Sequence, residues 1–206
     1  MTSYGYTLRR VTKPTVGPVS LSEAKQHLRV EISDDDALIS ALILAAADAA
    51  EAETKLAICE QDFEMRAAGF PCGDEPIALP VPPLLWVNSI AYTDTNGDPQ
   101  TLDVAGADFI TSPGSEREPG SIRPKWGDYW PVALYAQDSV IINFTAGFPS
   151  SASPAGADGV PAAIKQAVLL LVGHLYENRE AVNIGNIGTE VPMGFKALLD
   201  GFRAYI

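Results

Sequence analysis

The sequence has few of the residues on which most enzyme sites depend. It contains two cysteines, Cys59 and Cys72, and two histidines, His27 and His174. The cysteines lack a second pair, so reduced thiols of an intracellular protein are favoured over a disulfide. Each histidine is isolated in a helical pattern, where a packed or surface role is more common than catalysis.

No set of residues indicates a catalytic or phosphate-binding site. A serine, cysteine or carboxylate mechanism needs a base and an orienting partner, and no such set is visible. Gly185-Asn186-Ile187-Gly188 has neither the preceding strand nor the Lys-Ser/Thr of a phosphate-binding loop. Asp34-Asp35-Asp36 lacks the spacing of a calcium loop and is interpreted as the capped start of a helix. We therefore predict a non-enzymatic protein with no catalytic residue, cofactor or metal.

Positive charge and long apolar runs are also scarce. Lys and Arg number 14 against 26 Asp and Glu, for a net charge of −12. This balance argues against a dedicated nucleic-acid-binding protein, but suits one through which DNA passes, or a self-associating protein kept soluble by its charge. The apolar run 167–172 is far shorter than the about 20 residues that cross a bilayer, and the N-terminus does not resemble a signal peptide. We expect synthesis in the cytoplasm and no membrane association.

Helical periodicity occurs at both ends of the chain. It covers residues 20–29, 34–56, 160–180 and 192–206. Ser20 and Glu23 have the spacing of a capping box, and the alanine-rich stretch 45–50 favours close packing against another helix. The helix that Pro161 begins is apolar nearly all round, so it must be buried within its own fold or against other copies.

The middle of the chain has the alternation of half-buried strands. Strands are predicted near residues 62–66, 77–79, 86–92, 100–102, 109–111, 121–123 and 139–145. Asn96-Gly97 predicts a hairpin turn, because both residues tolerate a positive φ. The predicted fold class is α+β, a small helical bundle with an inserted antiparallel β subdomain, a flexible N-terminal arm and a C-terminal segment.

We divide this single domain into five parts. They are an extended arm (1–19), helices (20–58), a β-rich insertion (59–147), a flexible linker (148–159), and helices with a C-terminal segment (160–206). The glycine-punctuated loop 183–191 and the arm are candidates for ordering against a partner.

Aromatic and charged residues supply the candidate contact sites. Trp126 and Trp130 could stack on bases, but in an acidic chain we favour covering the end of the sheet or anchoring a subunit contact. The charged end of the third helix is interpreted first as a helix end and second as an intersubunit contact. The full set of candidate interface residues is Trp126, Trp130, Tyr176, Glu177, Arg179, Phe195, Phe202 and Tyr205.

The order of these features resembles the head-tail connector proteins of tailed phages, the gp6-like and phiE125 gp8-like adaptors also present in gene transfer agents. The resemblance is carried by PVSLSEAKQHLRV (18–30), DDDALI (34–39), LPVPPL (79–84), VNSI (87–90), VPAAIKQA (160–167) and HLYENRE (174–180). Together these motifs cover most of the chain in the family's order.

The resemblance implies a structural virion protein at the head-tail interface. Such a protein forms a ring, usually of twelve copies, beneath the portal, where it extends the DNA channel and offers a docking surface to a stopper or tail-terminator protein. DNA would pass without sequence-specific binding, and residues 183–206 would engage the portal. A tail-terminator or other head-completion protein is the alternative, and a scaffold unrelated to virions is a further one.

Overall fold

The computed structural model describes residues 5–104, 108–149, 159–179 and 193–205. The chain divides into two units. The helical unit comprises Pro14–Cys59 and Phe148–Arg203, and the β unit comprises Met1–Lys13, Glu60–Gly147 and Ala204–Ile206. The predicted α+β class is confirmed. The predicted loop 183–191 and most of the predicted linker lie outside the described residues.

The described part of the helical unit contains four α-helices. They are α1 (Leu21–Leu28), α2 (Asp36–Thr54), α3 (Ala162–Glu177) and α4 (Met193–Leu199), and a short 3₁₀ turn (Asp200–Phe202) follows α4. No helix in the described ranges combines the length and the apolar character that spanning a bilayer requires.

Helix α1 begins with the predicted capping box. The Glu23 amide donates to Ser20 Oγ (3.2 Å), and the Ser20 amide donates to Glu23 Oε2 (2.7 Å). These two bonds satisfy the orphan N–H groups at the helix start. The bond from the Ser20 amide is also the main cause of the lowered pKa of Glu23.

Helix α2 begins differently from the prediction. Asp35 occupies the N-cap position, but its side chain makes no capping hydrogen bond. Its carboxylate instead accepts hydrogen bonds from residues near the end of α3, and the Asp36 carboxylate pairs with Lys25 Nζ at 2.6 Å. The acidic stretch 34–36 thus stands at the helix start, as predicted, but no side-chain capping bond forms, and Asp35 Oδ2 accepts from Tyr176 and Arg179 instead.

The core of the helical unit lies where α2, α3 and α4 pack together. Small residues of α2 allow the close approach, and branched residues of α3 fill the space between helices. The buried side chains are Ile39, Ile43, Ala46, Ala47 and Ala50 of α2, Ile164, Ala167, Val168, Leu171 and Val172 of α3, and Phe195 and Leu199 of α4. Burying a Val, Leu or Ile side chain contributes about 1.5–3 kcal/mol. The burial that the apolar sequence of α3 predicts is therefore provided, for these residues, within its own unit.

The described residues of the β unit form eight strands in two antiparallel sheets. The strands are β1 (Tyr6–Arg10), β2 (Gln61–Ala67), β3 (Ile77–Leu79), β4 (Leu84–Thr93), β5 (Pro99–Leu102), β6 (Phe109–Ser112), β7 (Gly120–Pro124) and β8 (Val140–Ala146). Their order is β1-β2-β8-β4-β5 in one sheet and β3-β7-β6 in the other. Each of the seven strands predicted from the sequence corresponds to one of β2–β8.

Strand β1 was not predicted. It lies within the expected arm and pairs with β2 along its whole length, from Tyr6 opposite Ala67 to Arg10 opposite Phe63. The Val11 amide continues the pairing with the Asp62 carbonyl at 2.8 Å. The first part of the arm is therefore extended, as expected, but it belongs to a sheet.

The predicted hairpin forms between β4 and β5, with a different turn. Of the Asn96-Gly97 pair only Gly97 has a positive φ (91°). The Asp94 carboxylate accepts hydrogen bonds from the amides of Asn96 (2.8 Å) and Asp98 (3.0 Å). The aspartate side chain thus holds a longer loop than the two-residue turn that the dipeptide favours.

Candidate interaction surfaces

Two of the candidate interface residues join helices α2 and α3. The Tyr176 hydroxyl donates to Asp35 Oδ2 at 2.5 Å, and Arg179 Nη2 donates to the same oxygen at 2.9 Å. The Arg179 guanidinium also lies over the Tyr176 ring, 4.5 Å from its centroid. Both side chains are therefore engaged within the subunit, whereas the neighbouring Glu177 is exposed.

This arrangement shifts the protonation equilibria of its members. The hydrogen bonds from Tyr176 and then Arg179 lower the pKa of Asp35, because they favour the charged carboxylate. The same hydrogen bond to Asp35 raises the pKa of Tyr176. The carboxylate and the guanidinium are thus charged together at neutral pH, and the cluster is a helix-to-helix clasp.

The candidates near the C-terminus lie in different environments. Phe195 is buried in the helical core and Phe202 is half-buried. The following residue, Arg203, pairs with Glu53 of α2. Tyr205 is exposed in the β unit, where the Arg117 guanidinium lies 4.5 Å from its ring centroid and also hydrogen-bonds its hydroxyl. Of these residues, Tyr205 is the most accessible to a partner.

The two tryptophans, four positions apart, have opposite environments. Trp130 is 7% exposed, its Nε1 donates to the Glu75 carbonyl (2.8 Å), and its ring stacks on Phe70 with centroids 5.1 Å apart. Trp130 is therefore packed within the β unit, and its predicted role in covering the end of the sheet stays a prediction. Trp126 is 96% exposed. A tryptophan this exposed is unusual in a folded protein.

Three further exposed side chains accompany Trp126 in the same segment. Tyr129 is 74% exposed, Val132 75% and Tyr135 85%. We call Trp126, Tyr129, Val132 and Tyr135 the aromatic platform. Sequence reasoning selected Trp126 but missed the two tyrosines, although the density of aromatic residues from 126 to 135 was the available signal. Whether any candidate residue contacts another subunit stays a prediction.

The polar clusters of the described residues lack the parts of a catalytic site. In the β unit, Asp62 accepts hydrogen bonds from Thr12 and Thr145, both at 2.6 Å, and these bonds lower its pKa. These two donors to the carboxylate are threonine side chains, with no histidine or cysteine among them. Among the described residues there is also no group of three or more His, Cys, Asp or Glu side chains that could hold a metal ion.

The grooves of the β unit are open to solvent and are lined by both polar and apolar residues. One of about 390 Å³ is lined by Tyr92, Thr101, Leu102, Asp108, Pro124, Asp128, Tyr129, Trp130 and Pro131. Its rim includes one member of the aromatic platform. Its lining includes the carboxylates of Asp108 and Asp128 and contains no histidine or cysteine.

Part of the chain matches a known protein family. Residues 18–99 match the family of phage gp6-like head-tail connector proteins. No curated protein is similar enough to the chain to count as a match. Solved structures, however, resemble the chain over nearly its whole length.

Three of these structures come from gene transfer agent particles. One chain in the virion of the native particle is 26% identical with a TM-score of 0.72. A chain in the neck of the empty particle, computed with C6 symmetry, is 25% identical (TM-score 0.71), and one in the neck of the native particle, computed with C12 symmetry, is 26% identical (TM-score 0.69). Each comparison covers 97% of this chain and 96% of the other. The predicted resemblance to head-tail connector proteins is thereby confirmed.

Proposed function

We propose that this chain is a structural protein of the virion neck in a tailed phage or phage-like particle. Copies of it form an adaptor ring beneath the portal, which extends the DNA channel and joins the head to the tail. The observation that carries the proposal is the match of 97% of the chain to 96% of a chain from the neck of a native gene transfer agent particle. The match to the connector family over residues 18–99 supports it independently.

The charge of the chain is compatible with a DNA channel. A protein that binds duplex DNA tightly presents clustered Lys and Arg, each neutralising a phosphate. This chain has a net charge of −12. Its acidic balance favours passage of DNA over retention, and sequence-specific binding is not expected.

A ring with twelve copies is the stoichiometry we propose. One similar neck structure was computed with C12 symmetry and another with C6 symmetry, and a twelvefold ring is compatible with both. The upper contact of the ring is with the portal protein and the lower one with a stopper or tail-terminator protein. The chain itself contributes surfaces and no chemical step.

The alternative is a tail-terminator or another head-completion protein. Portal binding separates the two positions, because an adaptor binds purified portal whereas a terminator binds tail tube. We expect the full chain to co-sediment with portal rings and not with tail tubes. Binding to tail tubes alone would assign the chain to the terminator position.

Electron microscopy of intact particles tests the proposal directly. We expect a ring of this chain between the portal and the first tail component. Each symmetry-related position of the ring should hold one copy of the chain. Particles from a strain that lacks the gene should contain filled or emptied heads without attached tails. Complete particles with no density for this chain would contradict the proposed function.

A further inference from the structure

We propose that the aromatic platform is a contact surface between copies of this chain, where the platform of one copy packs on its neighbour in the ring. This inference rests on the function proposed above, and it specifies which surface makes the intersubunit contact. The segment that carries the platform is fixed to the β unit, its exposed side chains are large and nearly uncharged, and a ring of acidic copies needs such a surface.

The segment that carries the platform is fixed to the β unit at Trp130 and Leu134. The Trp130 amide donates to the Gly73 carbonyl at 3.1 Å, in addition to the contacts of its ring with Phe70 and Glu75. Further along, the Leu134 amide donates to the Thr93 carbonyl at 2.9 Å. A surface that is ordered before binding loses little conformational entropy on binding.

The exposed rings lie beside glycines of the neighbouring loop, which leave room for them. A Cβ placed on Gly69 would be 3.7 Å from the Tyr135 ring, and one placed on Gly73 would be 3.9 Å from the Tyr129 ring. The two tyrosines of the platform therefore lie beside the loop that contains Phe70 and Cys72.

The area and composition of the platform match the centre of a protein interface. An aromatic side chain buries roughly 150–250 Å², so three exposed rings offer on the order of 500 Å². One side of a standard interface buries about 800 Å². From Trp126 to Tyr135 the segment contains one charged residue, Asp128. Interface centres are likewise rich in Trp and Tyr and poor in charge.

The charge of the chain favours a second copy as the occupant. Neighbouring copies that each carry a net charge of −12 repel one another, so their contacts must be made where acidic residues are few. The platform is such a surface, and burying it supplies the attraction that offsets the repulsion. DNA is a poor alternative, since the platform has no row of cationic side chains.

The test uses the full chain with purified portal as the template for ring assembly, followed by negative-stain electron microscopy and mass photometry. We expect the double variant W126A/Y135A to bind portal as single copies while its self-association weakens at least about tenfold, as for a central interface pair. Because both side chains are exposed, the variant should fold and melt like the wild type. The control is I32A, which removes an exposed apolar side chain of the helical unit outside the predicted arm and should form rings normally.

Cys72 gives a second readout on the unmodified protein. It is exposed in the loop beside the platform, so a thiol reagent should label it rapidly in free protein and at least about tenfold more slowly in rings. Equal labelling rates in both states would overturn the proposal.

Normal rings from W126A/Y135A would also overturn it, and loss of portal binding with rings intact would assign the platform to the portal instead. Absence of wild-type protein from particle necks is a separate result, which would contradict the proposed function itself.

Discussion

The Tyr176 hydroxyl donates a hydrogen bond to Asp35 Oδ2 at 2.5 Å, which joins the end of α3 to the start of α2. We expect Y176F to lower the melting temperature, because the substitution removes this donor and leaves Arg179 as the remaining partner in the clasp. Differential scanning calorimetry measures the change. Y6F is the control, since Tyr6 is an exposed tyrosine of β1 and should tolerate the loss of its hydroxyl.

The same clasp predicts a pH dependence. The pKa of Asp35 is lowered in the folded chain, so its contribution to stability is present above the unfolded value, about 3.9, and is lost as the pH falls through the lower folded value. D35N should therefore destabilise the protein at pH 7, and the difference from wild type should shrink below about pH 4. Urea midpoints measured across this range test the sign. A difference that grows on acidification would contradict the assignment.

The buried hydroxyl of Thr145 organises a polar network in the sheet. It donates to Asp62 Oδ1 at 2.6 Å and accepts from Asn88 Nδ2 at 3.0 Å. Replacement by valine keeps the shape but leaves both partners short of a hydrogen bond, so we expect T145V to cost about 1–3 kcal/mol of unfolding free energy. Urea denaturation measures it. T111V, on the exposed part of β6, should change stability by less than about 0.5 kcal/mol.

Local signals were sufficient for much of the fold. The capping box of Ser20 and Glu23 involves residues three positions apart, and the alternation of β2 is visible in five consecutive residues. The clasp could not be predicted, because Tyr176 and Asp35 are 141 positions apart. The sequence has no pattern that marks such a pair. The stretch Asp34-Asp35-Asp36 was therefore interpreted only locally, as the capped start of a helix.

The different environments of Trp126 and Trp130 could not be predicted from local sequence either. Trp126 and Trp130 are the same residue type in one short segment, so local composition predicts similar roles for both. Their environments are decided by Phe70 and Glu75, more than 50 positions earlier, which bury Trp130 alone. Strand β1 was missed for a related reason, since its pairing partner β2 begins about 50 positions later and prolines nearby favoured an arm.

The two cysteines are expected to react at very different rates. Burial is the main cause that raises the pKa of the Cys59 thiol to about 12, with the nearby Glu51 carboxylate adding to it. At pH 8 only about one Cys59 in ten thousand is then a thiolate, the reactive form. Cys72 is exposed. Ellman's reagent should label one thiol per chain rapidly, and C72S should abolish the fast phase, whereas C59S should leave it unchanged.

Gly120 lies at the start of β7, where the backbone passes close to Leu84 of β4. A Cβ at this position would lie 2.3 Å from Leu84 Cδ2 and 2.6 Å from Leu84 Cβ. Rotating the leucine side chain cannot relieve the second contact, so G120A must move the backbone of one strand. We expect a loss of about 1–3 kcal/mol in unfolding free energy, measured by guanidinium denaturation. G5A, where a new Cβ meets nothing within 4 Å, should leave stability unchanged, and a G120A variant as stable as G5A would contradict the close packing of β7 against Leu84.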